Sequence, residues 1–322
     1  MGTLTAADRD FWAAVLTAGG ATAVPRWARD PVPGVAEHEE PVPEEVAGAV
    51  RALAARLGVP ARTVLLAAHA KVLAALSADE DVVTGLVTGA AHAPLPCRLP
   101  LAPRTWRELL LAVRRAETDV LTHRDFPVAA LRRELGLTGP AYEAVFDPED
   151  SAPALPEDAV LAVGHRERDG RCVLRVRYRT EVLDAAAAAR IAGYHLAALD
   201  RMTADVDAEH TGQSLLSAAE VRAQLEDLAG PHRELPDARA HELFEQRVRE
   251  HPGAVAAVLG ERSWTYGELN ARANRLARAL RARGLGREDV VAVVTERNLD
   301  WLAAVLAVFK AGGVYLPVEP HF

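Results

Sequence analysis

The sequence predicts an α/β chain in two parts: a sandwich with a mixed sheet over 1–206, a linker over 207–237, and an α/β fragment over 238–322. Three observations carry this reading. Apolar residues recur at helical spacing in several long stretches. The segments 142–147 and 159–181 are β-rich. After the polar stretch DAEHTGQSLLSAAEVRAQLEDLAGPHRELPD, the texture changes to short alternating helices and strands.

The elements follow in order. Residues 5–18 read as a short helix with Phe11, Val15 and Leu16 on its buried side. Residues 22–42, rich in proline and acid, read as extended. Pro43, Glu44 and Glu45 open a helix, where a first turn tolerates proline and favours acids. Val46, Val50, Leu53 and Leu57 form its buried stripe, and Gly58 closes it. A second helix over 61–77 carries His69 near its apolar side, read as a packed, hydrogen-bonded histidine. DVVTGLVTG (81–89) reads as a strand, LPCRLPL as a short extended piece, and 104–123 as a long helix. FPVAALRREL adds a helical turn or two. Residues 184–204 form an Ala-rich helix. In the second part, HELFEQRVREHP is a helix, AVAAVLG and RSWTY are strands, and YGELNARANRLARALRARG is a helix stopped by Gly284. DVVAVVT and VYLPV are strands around the apolar helix LDWLAAVLAVFKAGG.

Bulk properties narrow the classes. The chain has 322 residues, net charge −8 and an ordinary apolar fraction of 50%. No run of 18 apolar residues predicts a membrane span, and the start lacks a secretory pattern. The acidic balance argues against nucleic acid as a partner. Cys97 and Cys172 have no partner motif and fit a reduced, cytoplasmic protein. The arginines are scattered among acids and read as a solvated surface. The acidic, proline-rich 28–44 is a candidate recognition strip, which would make the chain a docking module for another protein; a plain surface loop is the other reading.

GHRERDGR (164–171) contains the H-x-x-x-D-G letters of an acyl-transfer site, with His165 as a candidate general base. The surrounding pattern opposes that role. Leu161, Val163 and His165 alternate on one strand; Leu174, Val176 and Tyr178 alternate on the next, with Arg175, Arg177 and Arg179 between them. Asp169-Gly170 is a two-residue hairpin turn. Pairing outward sets His165 opposite Leu174, Val163 opposite Val176 and Leu161 opposite Tyr178. His165 and Asp169 then stand about 13 Å apart along an extended strand.

Two motifs in the second part carry a resemblance. Trp264-Thr265-Tyr266-Gly267-Glu268-Leu269 matches L-T-Y-x-E-L, and Phe309-Lys310-Ala311-Gly312-Gly313-Val314-Tyr315-Leu316-Pro317-Val318-Glu319 matches L-K-A-G-x-A-Y-L-P-I-D. At this spacing the segment resembles the opening of an amino-acid adenylation domain of a nonribosomal peptide synthetase. The resemblance implies a parent protein that uses ATP with magnesium and loads an amino acid onto a phosphopantetheine carrier. The family's Ser/Thr/Gly-rich phosphate loop has no counterpart here, and Gly312-Gly313 reads as a helix end. A phosphate loop needs glycines so that its amides can approach phosphate oxygens. Lys310 belongs to the structural second motif, not to the family's late catalytic lysine.

The first part resembles the C-terminal half of a condensation domain of the same family. Its matches are Thr122-His123-Arg124-Asp125-Phe126-Pro127, Gly139-Pro140-Ala141-Tyr142-Glu143-Ala144-Val145-Phe146, Tyr178-Arg179-Thr180-Glu181-Val182-Leu183-Asp184 and the linker string Ser214-Leu215-Leu216-Ser217. His123 and Asp125 fall in a motif that is mainly structural in the family. The family's H-H-x-x-x-D-G is missing with the N-terminal half. So is a G-x-F-V-N-T floor loop, where AAHAP leads directly to LPCRL. The crossing segment is shortened to DPEDSAPALPED. The resemblance therefore implies a reduced, noncatalytic platform with an acetyltransferase-like half sandwich fold, followed by a partial adenylation domain. Natural reduction explains the three losses, and a cut or early stop explains the end at Phe322. Leu215, Leu216, Leu225 and Leu228 are expected to hold the adenylation core, whose remainder and carrier protein are the expected partners. No residue of this chain is assigned a catalytic, cofactor-binding or metal-binding role. The rival is an active acyltransferase using His165. The exposed apolar faces of the 290–295 strand and 299–311 helix are expected to make the second part the less stable one.

Overall fold

The computed structural model describes residues 5–89, 93–151, 154–168, 170–231 and 233–321. The chain divides into two compact units that meet at Gly230 and Pro231.

The first unit is built on a six-stranded mixed sheet in the order β1-β6-β5-β4-β2-β3. Its strands are β1 (Val35–Pro41), β2 (Asp81–Leu86), β3 (Leu95–Pro100), β4 (Ala144–Asp147), β5 (Leu161–Arg168) and β6 (Arg171–Arg179). β2, β4 and β5 run parallel; the other pairings are antiparallel. The helices are α1 (Ala6–Thr17), α2 (Glu44–Leu57), α3 (Ala61–Ser77), α4 (Trp106–Thr122), α5 (Val128–Glu134), α6 (Ala185–Ala204) and α7 (Ala218–Arg222), the last running into a π turn over Ala223–Asp227. Leu161, Val163, Leu174 and Val176 point to one sheet face and share a core with Val64, Leu66, Leu109, Leu110, Ile191 and Leu199.

Local chemistry explains the helix ends. Thr5 and Thr105 form reciprocal capping boxes with Asp8 and Glu108, so two orphan amides at each N-terminus are satisfied. Gly58 adopts φ 64° at the end of α2, a conformation that costs glycine nothing. On α1 the fully buried residue is Trp12, not the Phe11, Val15 and Leu16 side, which is partly exposed. The indole N–H donates to the His123 carbonyl at 2.9 Å, so a polar tip steers the ring inward.

Within the strip 28–44, residues 28–34 are irregular and Val35–Pro41 is a strand. Val35–Pro41 pairs with β6 as an edge strand that ends on Pro41, with Pro31, Pro33 and Pro43 close outside it, residues that discourage further strand pairing. No single described helix is long and apolar enough to cross a membrane.

The second unit holds α8 (Ala240–Glu250), β7 (Val255–Leu259), β8 (Arg262–Thr265), α9 (Tyr266–Ala282), β9 (Val290–Val294), α10 (Leu299–Ala311) and β10 (Val314–Val318). β7 and β8 form an antiparallel pair and β9 and β10 a parallel pair. The shared core is small: Trp264, Leu269, Leu299 and Ala303. Val290, Val294, Val314 and Leu316 leave an apolar face open on β9 and β10. α10 differs from expectation: its apolar residues are buried or half-buried, because α9 and α8 cover them.

Candidate functional site

The hairpin that carries His165 has the register expected from its turn. His165 pairs with Leu174, Val163 with Val176 and Leu161 with Tyr178. Gly170 takes φ 73° in the turn; Asp169 lies outside the described residues. His165 points to the helix-covered face and is only 6% exposed. Neither ring nitrogen has a hydrogen-bond partner. Burial, then the nearby His195, pushes its pKa down to about 3, so the ring is neutral. A general base must reach a substrate proton at hydrogen-bond distance, and this ring looks onto Phe146 at 6.2 Å between centroids.

Beside it runs a chain of polar groups buried in the core. His69 Nδ1 lies 3.2 Å from His195 Nε2, and His69 Nε2 lies 3.1 Å from the Thr84 hydroxyl. His195 Nδ1 lies 2.8 Å from the Ile191 carbonyl, which can only accept. His195 Nδ1–H therefore donates to Ile191, which leaves its Nε2 to accept from His69 Nδ1–H, and the Thr84 hydroxyl has one proton for two acceptors, His69 Nε2 and the Ala144 carbonyl at 3.1 Å. Both rings are held well below the usual histidine range, His69 by burial and then His195, and His195 by burial to about 4. The expected packed, hydrogen-bonded role of His69 is what the structure places there. Its partner His195, inside an Ala-rich helix, carried no sequence signal.

The His123–Pro127 motif divides. His123 accepts no role at a cleft: its Nδ1 lies 2.6 Å from Asp8, and Phe11 stacks on it with centroids 4.4 Å apart. Hydrogen bonds from Thr5, then His123, hold the Asp8 carboxyl down to about 2. Asp125 instead faces a cleft of about 840 Å³, with Arg124, Phe126, Arg132, Tyr142 and Asp158. The Tyr142 hydroxyl donates to the Pro94 carbonyl at 3.1 Å, and burial pushes its pKa to about 12. Its ring lies 2.7 Å from where a Cβ on Gly85 would stand, so only glycine admits it.

The sheet face away from the helices corrects the reading of the arginines as solvated. Arg177 is buried, with side chains of Asp147 and Asp150 at 3.8 and 3.6 Å. Arg175 binds Asp150 at 2.5 Å and Glu37 at 3.2 Å. Arg166 pairs with Glu39. Asp150 adopts φ 48° and sits over Gly164, where a Cβ would meet its carboxylate oxygen at 3.0 Å. Burial, then the Arg175 charge, lowers the pKa of Arg177. The segment that carries Asp147 and Asp150 thus closes this face with a buried ion network.

In the second unit the residues of the two motifs cap helices, pair and pack locally. Thr265 caps α9 and Glu268 answers it, accepting from the Thr265 amide at 2.8 Å, while Leu269 enters the core. Lys310 is paired with Glu245 and lies 5.9 Å from the Phe244 ring centroid. Gly312 ends α10 at φ 88°. Among the described residues, no group of three metal-ligating side chains converges.

Comparison with known proteins matches these two units. The family model described as AMP-binding enzyme matches residues 244–322. Malpinin synthetase of Mortierella alpina is 34% identical over 312 residues, covering 86% of this chain and 4% of that protein. The AMPPNP-bound form of the nonribosomal peptide synthetase FmoA3 superposes with a TM-score of 0.64 at 23% identity, covering 98% of this chain and 38% of that one. The condensation domain of the monacolin K polyketide synthase MokA superposes with a TM-score of 0.52 at 17% identity, over 63% of this chain and 58% of that one. The chain thus spans 4% of the length of malpinin synthetase and well under half of FmoA3.

Proposed function

Since this chain is a nonribosomal peptide synthetase segment with a condensation part followed by an adenylation part, we propose that 1–206 is a noncatalytic platform, 207–237 its linker and 238–322 the start of an amino-acid-activating domain. The observation that carries the reading is His165, sealed in the core without a hydrogen-bond partner. The Asp150 network closing the opposite sheet face supports it.

The linker's attachment supports the platform role. Arg107 binds Asp207 at 2.6 Å, Arg104 pairs with Glu209, and Lys71 donates to the His210 carbonyl at 2.7 Å. Leu215 is buried in the first unit's core, and the Tyr194 hydroxyl donates to Glu220 at 2.6 Å. Leu225 and Leu228 are 70% and 79% exposed and free to meet a partner surface. In the longer protein, ATP with magnesium and a phosphopantetheine carrier serve the adenylation domain, in the cytoplasm.

The test extends the chain through a complete adenylation domain and follows amino-acid-dependent ATP–pyrophosphate exchange. Exchange is expected, and deleting 1–205 should lower activity or solubility. No exchange with any amino acid would count against the reading.

A further inference from the structure

Arg132 stands where two cavities of the first unit meet. It lines the cleft of about 840 Å³ beside β3 and also a smaller one of about 310 Å³; Pro96 and Ala141 line both. The residue lies in the last turn of α5 and is half-buried. A guanidinium carries five N–H bonds. One of them goes to the Gly139 carbonyl at 2.6 Å, and Arg132 forms no ion pair among the described residues. Arg98, on the smaller cavity, differs: it pairs with Asp81 at 2.8 Å.

The walls of the larger cleft are apolar. Pro94 and Pro96, at the start of β3, have no N–H to offer a ligand. The Pro94 carbonyl already accepts from the Tyr142 hydroxyl at 3.1 Å, which fixes the Tyr142 ring over Gly85 as a further wall. Phe126 and Val128 complete the apolar lining. Apart from Arg132, the charged groups of the cleft are exposed: Arg124, Asp125 and Asp158. A concave, mostly apolar cleft with few polar groups has the form of a small-molecule site. Its half-buried donor is a planar fork that matches a carboxylate with two parallel hydrogen bonds.

We propose that this cleft binds a small amphipathic carboxylate, with the carboxylate on Arg132 and the apolar body against Phe126, Val128 and Tyr142. The N–H groups that Gly139 leaves over take the anion. The apolar walls keep water away from the pair, which strengthens it. Asp125 and Asp158 offer acceptors for an ammonium, so a free acid and an amino acid share the same anchor on Arg132. Binding needs neither ATP nor the rest of the longer protein.

Saturation-transfer NMR on the full chain tests this with phenylbutyrate, phenylalanine and phenylethylamine. The first carries a carboxylate alone, the second adds an ammonium, and the third lacks the carboxylate. Saturable binding is expected of phenylbutyrate or phenylalanine, and the tighter of the two shows whether the ligand carries an ammonium. Phenylethylamine is expected not to bind. Arg132→Gln should weaken carboxylate binding about ten-fold or more, the worth of a hydrogen bond to a charged group, and Arg132→Lys should restore part of it. Ala129→Glu sets an acid at an exposed position on the same cleft and should weaken binding as well. No saturable binding of either acid, equal binding of the amine, or undiminished binding in Arg132→Gln would each overturn the proposal. If Arg132→Gln does not fold, Ala129→Glu decides in its place.

Discussion

Asp150→Ala should destabilise the first unit by about 3–5 kcal/mol, the usual cost of removing one partner from a buried ion network. The loss is large because Asp150 serves three arginines at once, Arg175 at 2.5 Å, Arg177 at 3.6 Å and Arg166 at 3.9 Å, and its own side chain is 2% exposed. Truncation leaves Arg177 buried among fewer acceptors. At about 2–4 °C per kcal/mol for a unit of this size, the thermal midpoint should fall by roughly 10 °C. Gly164→Ala strikes the same network from below. Its Cβ would meet Asp150 Oδ1 at 3.0 Å and the Asp147 carbonyl at 3.1 Å. Overpacking of that kind costs about 1–3 kcal/mol. Because both changes dislodge the same carboxylate, their effects should be strongly non-additive. Denaturation followed by circular dichroism checks this. A melting curve for Asp150→Ala that overlays the unaltered chain would remove the network from the account.

Acid should unfold the first unit at a mild pH, and His165, His195 and His69 should set the midpoint. The folded pKa values lie below the usual histidine value of ~6.5, at about 3 for His165 and about 4 for His195, with His69 also well below. Below ~6.5 the unfolded chain therefore binds more protons than the folded one. The stability at stake is fully present above that pH and drains away as pH falls toward 3. At pH 5 each neutral histidine costs about 2 kcal/mol, so three can unfold a marginal unit. Asp8, held down to about 2, loses its contribution only at lower pH, below about 4, which separates the two effects. His165→Leu should move the acid midpoint down. It should also raise stability at pH 7, since it removes two buried ring nitrogens that have no partner. A titration followed by far-ultraviolet circular dichroism makes the comparison. An unchanged midpoint in His165→Leu would contradict the reading.

What the sequence disclosed was local. The Asp-Gly letters gave the hairpin register, because a two-residue turn fixes every pair beyond it, from Arg168 with Arg171 to Leu161 with Tyr178. Gly58, Thr105 with Glu108, and Thr265 with Glu268 marked helix ends because capping involves neighbours three residues apart. What it hid was long-range. Arg175 and Arg177 alternate with apolar residues and look like a solvent-facing row. They are covered because Asp147 and Asp150 arrive from a crossing segment some 25 residues earlier. His195 became part of a polar chain only when α3 and α6 met. Trp12 turned inward because its indole found the His123 carbonyl, far along the chain.

The platform reading rests most heavily on His165 being out of reach of any substrate. An acyl-transfer assay with a loaded carrier-protein donor and an amine acceptor, run on this chain and on His165→Ala, tests it directly. No transfer above the uncatalysed rate is expected from either protein. Transfer by the unaltered chain that disappears in His165→Ala would contradict the account and make His165 a base.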